Sequence, residues 1–177
     1  PIATCNNAAL PASAVPSLPS FLQASPDGTR IIGLGTQWLD VPYTASNPSV
    51  CPVTVTFNSA TTAAFSGPAA TQLTLSPTGN FALAASGGTI ATGNVSLYNL
   101  ATQAPVSVPL LTGTTATTGI VTSAGVTSDG NTAFVGVKSS GTGTTNAVHR
   151  IDLTAATPAD TAQINTTFAP EFVAVKP

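Results

Sequence analysis

Charge is what this sequence most lacks: Asp, Glu, Lys and Arg make up 6% of its 177 residues, against about 25% in ordinary soluble domains. The four cations, Arg30, Lys138, Arg150 and Lys176, are scattered along the chain. A nucleic-acid interface needs clustered cations to displace phosphate counterions, and a membrane-surface patch needs a basic cluster, so both are excluded. Methionine is absent, even from position 1, and Pro1 is read as the start of a processed or trimmed chain whose secretory leader has been removed. No apolar run reaches the roughly 18–20 residues of a membrane-spanning helix. There is one histidine, His149, and no C-x-x-C, so zinc and dithiol spacings are missing. No segment carries a helical apolar stripe, which points to an all-β chain.

What is present agrees with an exterior location. Cys5 and Cys51 are the two cysteines. Their even number and wide separation predict a disulfide, hence an oxidising compartment, with two unrelated buried thiols as the alternative. Closing that loop would stabilise the fold by about 4 kcal/mol in the chain-entropy model. Threonine and serine abound, and their hydroxyls keep a pleated surface wet without charge. The expected location is secreted, extracellular or cell-surface. Two glycosylation sequons occur, Asn94-Val95-Ser96 and Asn165-Thr166-Thr167. In a chain this rich in Ser and Thr, two such matches arise by chance.

Residues 1–20 are rich in Pro, Ala and Ser and read as an extended arm. The rest repeats. Ser25-Pro26-Asp27-Gly28, Ser76-Pro77-Thr78-Gly79 and Thr127-Ser128-Asp129-Gly130 are versions of one turn, with glycines 51 residues apart. Proline presets φ, Asp or Thr bonds back to the backbone, and Gly accepts positive φ. Apolar or alternating segments flank each turn. Val95 to Thr102 parallels Val148 to Ala155, and more loosely Val53 to Asn58, as third strands should. Fourth strands are expected at Val106 to Leu110 and Ala162 to Asn165. Repeats of this period form propeller blades or a solenoid. They are placed at 21–71, 72–122 and 123–177, with Phe172, Val173, Ala174 and Val175 as an orphan strand before a further turn.

Strand, S-P-D-G turn, strand, then "VSLYNLAT" or "VHRIDLTA" resembles the YVTN-type and WD-like β-propeller repeats, including those of surface-layer proteins. The resemblance covers residues 20–177 in three imperfect copies. It implies four-stranded blades with the first strand nearest the axis, hence an incomplete β-propeller of about three blades plus the arm. Propellers close with about 4–8 blades. An open blade exposes a strand edge that templates pairing with another chain. Strand addition through Phe172 to Val175, the arm, or both is therefore expected, as a dimer completing one propeller or as a filament of identical chains.

Sites of chemistry are few. His149 lies within a strand and reads as structural or surface-exposed; a catalytic triad would need Ser and Asp from elsewhere. Arg150 and Asp152 share a strand face and could pair. Asp27 and Asp129 occupy equivalent turns at one end, and a cation-binding carboxylate ring is broken by Thr78, leaving turn stabilisation. Asp40 sits beside Trp38 and Tyr43, aromatics that either dock a sugar or protein partner or plug the core. Gly33-Leu34-Gly35 and Gly141-Thr142-Gly143 lack the third glycine and the helix of a dinucleotide fingerprint. No paired carboxylates or metal-ligand cluster stand out, so no cofactor is expected. The leading expectation is a non-enzymatic, self-assembling structural subunit. One alternative is a glycan- or protein-binding module of a larger surface propeller, presenting loops 36–52 and 111–124. The other is a fragment of a lactonase-like propeller hydrolase, which implies a metal-dependent site that these residues do not reveal.

Overall fold

A computed structural model describes residues 19–45, 55–65, 67, 70–86, 89–90, 94–112, 115–116, 119–140 and 145–175. Those residues form no helix, and the chain is all-β. Its body is three four-stranded antiparallel sheets in a propeller-like series. The first contains β1 (Phe21–Ala24), β2 (Arg30–Leu34), β3 (Gln37–Ala45) and β5 (Thr61–Ala64), paired in that order, with β4 (Val55–Phe57) on the far end of β3. In the second, β6 (Ala70–Leu75), β7 (Phe81–Ser86), β9 (Asn94–Asn99) and β10 (Ala104–Pro109) pair in that order. The third runs β13 (Gly119–Val126), β14 (Thr132–Lys138), β15 (Ala147–Asp152) and β16 (Ala159–Asn165), and short β8 (Thr89–Ile90) pairs with β13. A small hairpin, β11 (Leu111–Thr112) and β12 (Thr115–Ala116), leads into the third sheet.

Alternation along the middle sheet explains how the three stack. Successive side chains of a strand point to opposite faces. On β7, Phe81, Leu83 and Ala85 join one apolar cluster, while Ala82 and Ala84 join another. On β9, Val95 and Leu97 belong to the first cluster and Tyr98 to the second. One cluster is completed by Ile32, Leu34 and Trp38 of the first sheet, the other by Ala133, Val135, Val137 and Ile151 of the third. The middle sheet is thus buried on both faces. Each fully buried aliphatic side chain there contributes about 1.5–3 kcal/mol.

The fourth strands stand at β10 and β16 as the sequence indicates. Two expected elements differ. The third strand of the first sheet is β3, and Val55–Phe57 only pairs with the end of β3 as the return arm of an inserted hairpin. Phe172, Val173, Ala174 and Val175 form no strand. A ladder requires a neighbour in the plane of the sheet, and this segment instead crosses the face of the third sheet. Thr122 Oγ1 donates to the Pro170 carbonyl, and the vacant side-chain position of Gly125 lies 3.0 Å from Val175 Cγ2 and 3.4 Å from the Val173 carbonyl. The arm falls almost wholly outside the described residues, and Cys5 and Cys51 lie outside them too.

Candidate functional site

The three repeated turns build one end of the molecule. Each closes with a hydrogen bond from the glycine N–H to the carbonyl three residues earlier: Gly28 to Ser25 (2.9 Å), Gly79 to Ser76 (2.9 Å) and Gly130 to Thr127 (2.8 Å). The glycines have φ of +66°, +72° and +71°, a region costly for residues with a Cβ. Adjacent turns touch. A Cβ on Gly130 would come within 2.4 Å of Thr78 Oγ1, and one on Gly79 within 3.7 Å of Pro26 Cδ.

Asp27 and Asp129 serve these turns. Asp27 Oδ1 accepts from Ser25 Oγ (2.5 Å) and Thr29 N–H (3.1 Å), and Oδ2 accepts from Thr29 Oγ1 (2.8 Å). Asp129 accepts equivalently from Thr127 and Asn131. These bonds, the side-chain hydroxyls foremost, hold both carboxyls below the usual carboxylate range. In the second turn the Ser76 and Thr78 hydroxyls bond to each other at 2.8 Å.

Between the first and second turns lies a cavity of about 240 Å³ lined by Ser25, Asp27, Arg30, Gly79, Asn80, Leu100 and Ala101. Behind it a polar cluster joins the first two sheets. Arg30 Nη1 donates to Asp40 Oδ2 at 2.8 Å and to the Leu100 carbonyl at 2.7 Å. Gln103 Nε2 reaches the same Asp40 oxygen at 3.4 Å. Gln103 is the one non-glycine with positive φ among the described residues, at +54°. Asp40 is fully buried, and burial raises its pKa despite the opposing Arg30 charge. The Tyr98 phenol is pushed above its usual range by burial and then by the Asp40 charge. Neither Tyr98 Oη nor Asp40 Oδ1 completes a hydrogen bond of ordinary geometry.

Trp38 is fully buried, stacked on Tyr98 with centroids 5.5 Å apart and edge-on to Phe65 at 6.0 Å. Its Nε1 donates to Ser96 Oγ at 3.3 Å. It plugs the seam between sheets and offers no surface to a partner. Tyr43 is half-buried and packs against Phe57 on the inserted hairpin, away from Trp38 in role. Asn94 opens β9, and exposed Asn165 ends β16, its Oδ1 accepting from Gln163 Nε2 at 2.6 Å.

His149 is fully buried between the second and third sheets, where its Nδ1 lies 2.7 Å from Asp160 Oδ2 and its Nε2 has no hydrogen-bond partner. Asp160 escaped sequence reasoning because a register shift between Arg150 and Ile151 brings it diagonally onto the His149 face. The Arg30–Asp40 contact escaped it because the two residues meet only once β2 and β3 pair. Arg150 and Asp152 form no ion pair; Arg150 Nη1 instead meets Thr161 Oγ1 at 3.3 Å, and Asp152 is held low chiefly by Thr154.

Among the described residues no three His, Cys, Asp or Glu side chains converge. They therefore do not fit the metal centre that the lactonase-like alternative implies.

No family model matches the chain, and no curated protein matches it. Among solved structures it is similar to a candidate 6-phosphogluconolactonase from Bacteroides uniformis, at 15% identity and a TM-score of 0.56, over 88% of this chain and 43% of that one. The likeness shows a β-propeller-like fold, and the chain spans less than half of that neighbour. It overturns the expectation of a non-enzymatic, self-assembling structural subunit.

Proposed function

We propose that the chain supplies three blades of a lactonase-type propeller hydrolase, its substrate a small cyclic ester. The observation that carries this reading is the structural likeness over 88% of the chain to a candidate 6-phosphogluconolactonase. The turn-end cavity supports it as a place for a small polar ring. In the reaction, water adds to the acyl carbon and the ring C–O bond breaks. The ring oxygen leaves as a hydroxyl, and the carboxylic acid formed releases one proton at neutral pH. Charge develops on the carbonyl oxygen, where preorganised donors contribute most. Arg30 is the donor at hand: two of its five N–H groups are spent on Asp40 and Leu100, and three remain. Asp27, ionised at neutral pH, lines the same cavity and accepts from hydroxyl or water protons.

Proton release from gluconolactone and its phosphorylated form, followed at constant neutral pH, tests the reading. The expected result is acid production above the spontaneous rate, reduced about tenfold or more in Arg30→Lys, which keeps the charge beside Asp40 but loses the guanidinium fork. A rate equal to that of buffer alone overturns the proposal.

A further inference from the structure

We infer that the cavity between the first two repeated turns is a binding site for one neutral polyhydroxylated ring, a monosaccharide-like cyclic polyol. The claim concerns binding alone and stands whether or not the chain turns over a lactone. Three observations carry it.

The first is size. At about 240 Å³ the space is smaller than the roughly 300–1,000 Å³ of pockets for drug-sized ligands and matches a single ring. The second is the pairing of donors and acceptors. Asp27 uses three of the roughly four acceptor positions of its carboxylate within the turn, and the remaining one lies on Oδ2. Arg30 brings uncommitted N–H groups on a side chain 26% exposed, and Asn80 adds an amide that both donates and accepts. A hydroxyl is donor and acceptor at once, so a ring bearing several neighbouring hydroxyls satisfies a carboxylate and a guanidinium placed side by side. The third is charge. Asp27 and Arg30 both line the cavity and Asp40 backs Arg30 from the interior, so no net positive charge remains to hold an anion. A carboxylate or phosphate ligand would meet the Asp27 charge as well as that of Arg30.

The test follows backbone amide shifts of the isotope-labelled full chain during titration with anhydroglucitol, the cyclic ether that lacks a lactone carbonyl, and in parallel with gluconate. Saturable shifts are expected at Asp27, Gly79, Asn80 and Ala101, with gluconate, which is both open-chain and anionic, binding at least about fivefold more weakly. Asp27→Asn keeps an acceptor for the turn but removes the ionised oxygen, and it should weaken binding about tenfold. Ala101→Phe fills the cavity without touching the turn hydrogen bonds and should abolish the shifts, while the remaining spectrum shows the fold intact. Absence of saturable shifts with anhydroglucitol, tighter binding of gluconate, or full retention of binding in Ala101→Phe would overturn the inference. Activity plays no part in this readout, so a protein that binds the polyol but hydrolyses nothing refutes the hydrolase reading alone.

Discussion

Gly130 shows how much one missing side chain decides. It combines φ +71° with direct contact to the second turn, whereas Gly79 has φ +72° and nothing closer than 3.7 Å to a built Cβ. Left-handed backbone alone costs a residue with a Cβ roughly 1–2 kcal/mol. Gly79→Ala should therefore lose about 1 kcal/mol in denaturant unfolding, and Gly130→Ala clearly more because Thr78 must also give way. Equal losses would mean that the turns do not stand side by side. Asp40 carries a second prediction. Burial raises its pKa above the ordinary 3.8, so the folded state holds its proton more tightly than the unfolded chain does. The associated stability is present below the unfolded value and is lost as pH rises through the folded one. Unfolding of Asp40→Asn compared with the parent across the acid range should isolate this contribution. The parent should lose stability relative to the variant as pH rises from below 3.8. Asp27, Asp129 and Asp152, all held low, act in the opposite sense and cancel in the comparison.

At the scale of strands, local chemistry was readable and pairing was not. The S-P-D-G turns carry their own instructions, so the hairpins β1–β2, β6–β7 and β13–β14 stand where the sequence put them. An alternating segment such as Val55–Phe57 looks like any third strand until the register is known, and here an inserted hairpin displaces it. Val173 and Val175 have strand-like chemistry but no ladder partner, because a sheet edge is a property of neighbours. The candidate site suffered in the same way: Asp27 and Arg30 were visible as residues, but the cavity needs the first and second turns brought together. The β15–β16 pair permits a direct test. Removing one member of a buried ionisable pair strands the other, at a cost of about 3 kcal/mol, whereas replacing both with apolar residues is often far milder. Asp160→Ala should therefore destabilise more than the double variant His149→Leu/Asp160→Ala, as read by denaturant midpoints. A larger loss in the double variant would show that the pair itself stabilises the seam.

For the whole molecule, the low charge noted at the outset has a structural counterpart. With both faces of the middle sheet buried, the chain spends its apolar residues on two seams, and the Arg30–Asp40 ion pair and the His149–Asp160 contact are placed at those seams. The turn end then gathers Ser25, Asp27, Arg30 and Asn80 round one cavity. The account depends on the sheets standing in series, second between first and third. Magnetisation transfer between side-chain protons in solution tests this most directly. Trp38 ring protons should show cross-peaks to Tyr98, and Leu83 methyls on β7 to those of Val121 on β13, in the same sample. Strong intra-sheet cross-peaks with neither of these inter-sheet ones would contradict the arrangement and remove the cavity with it.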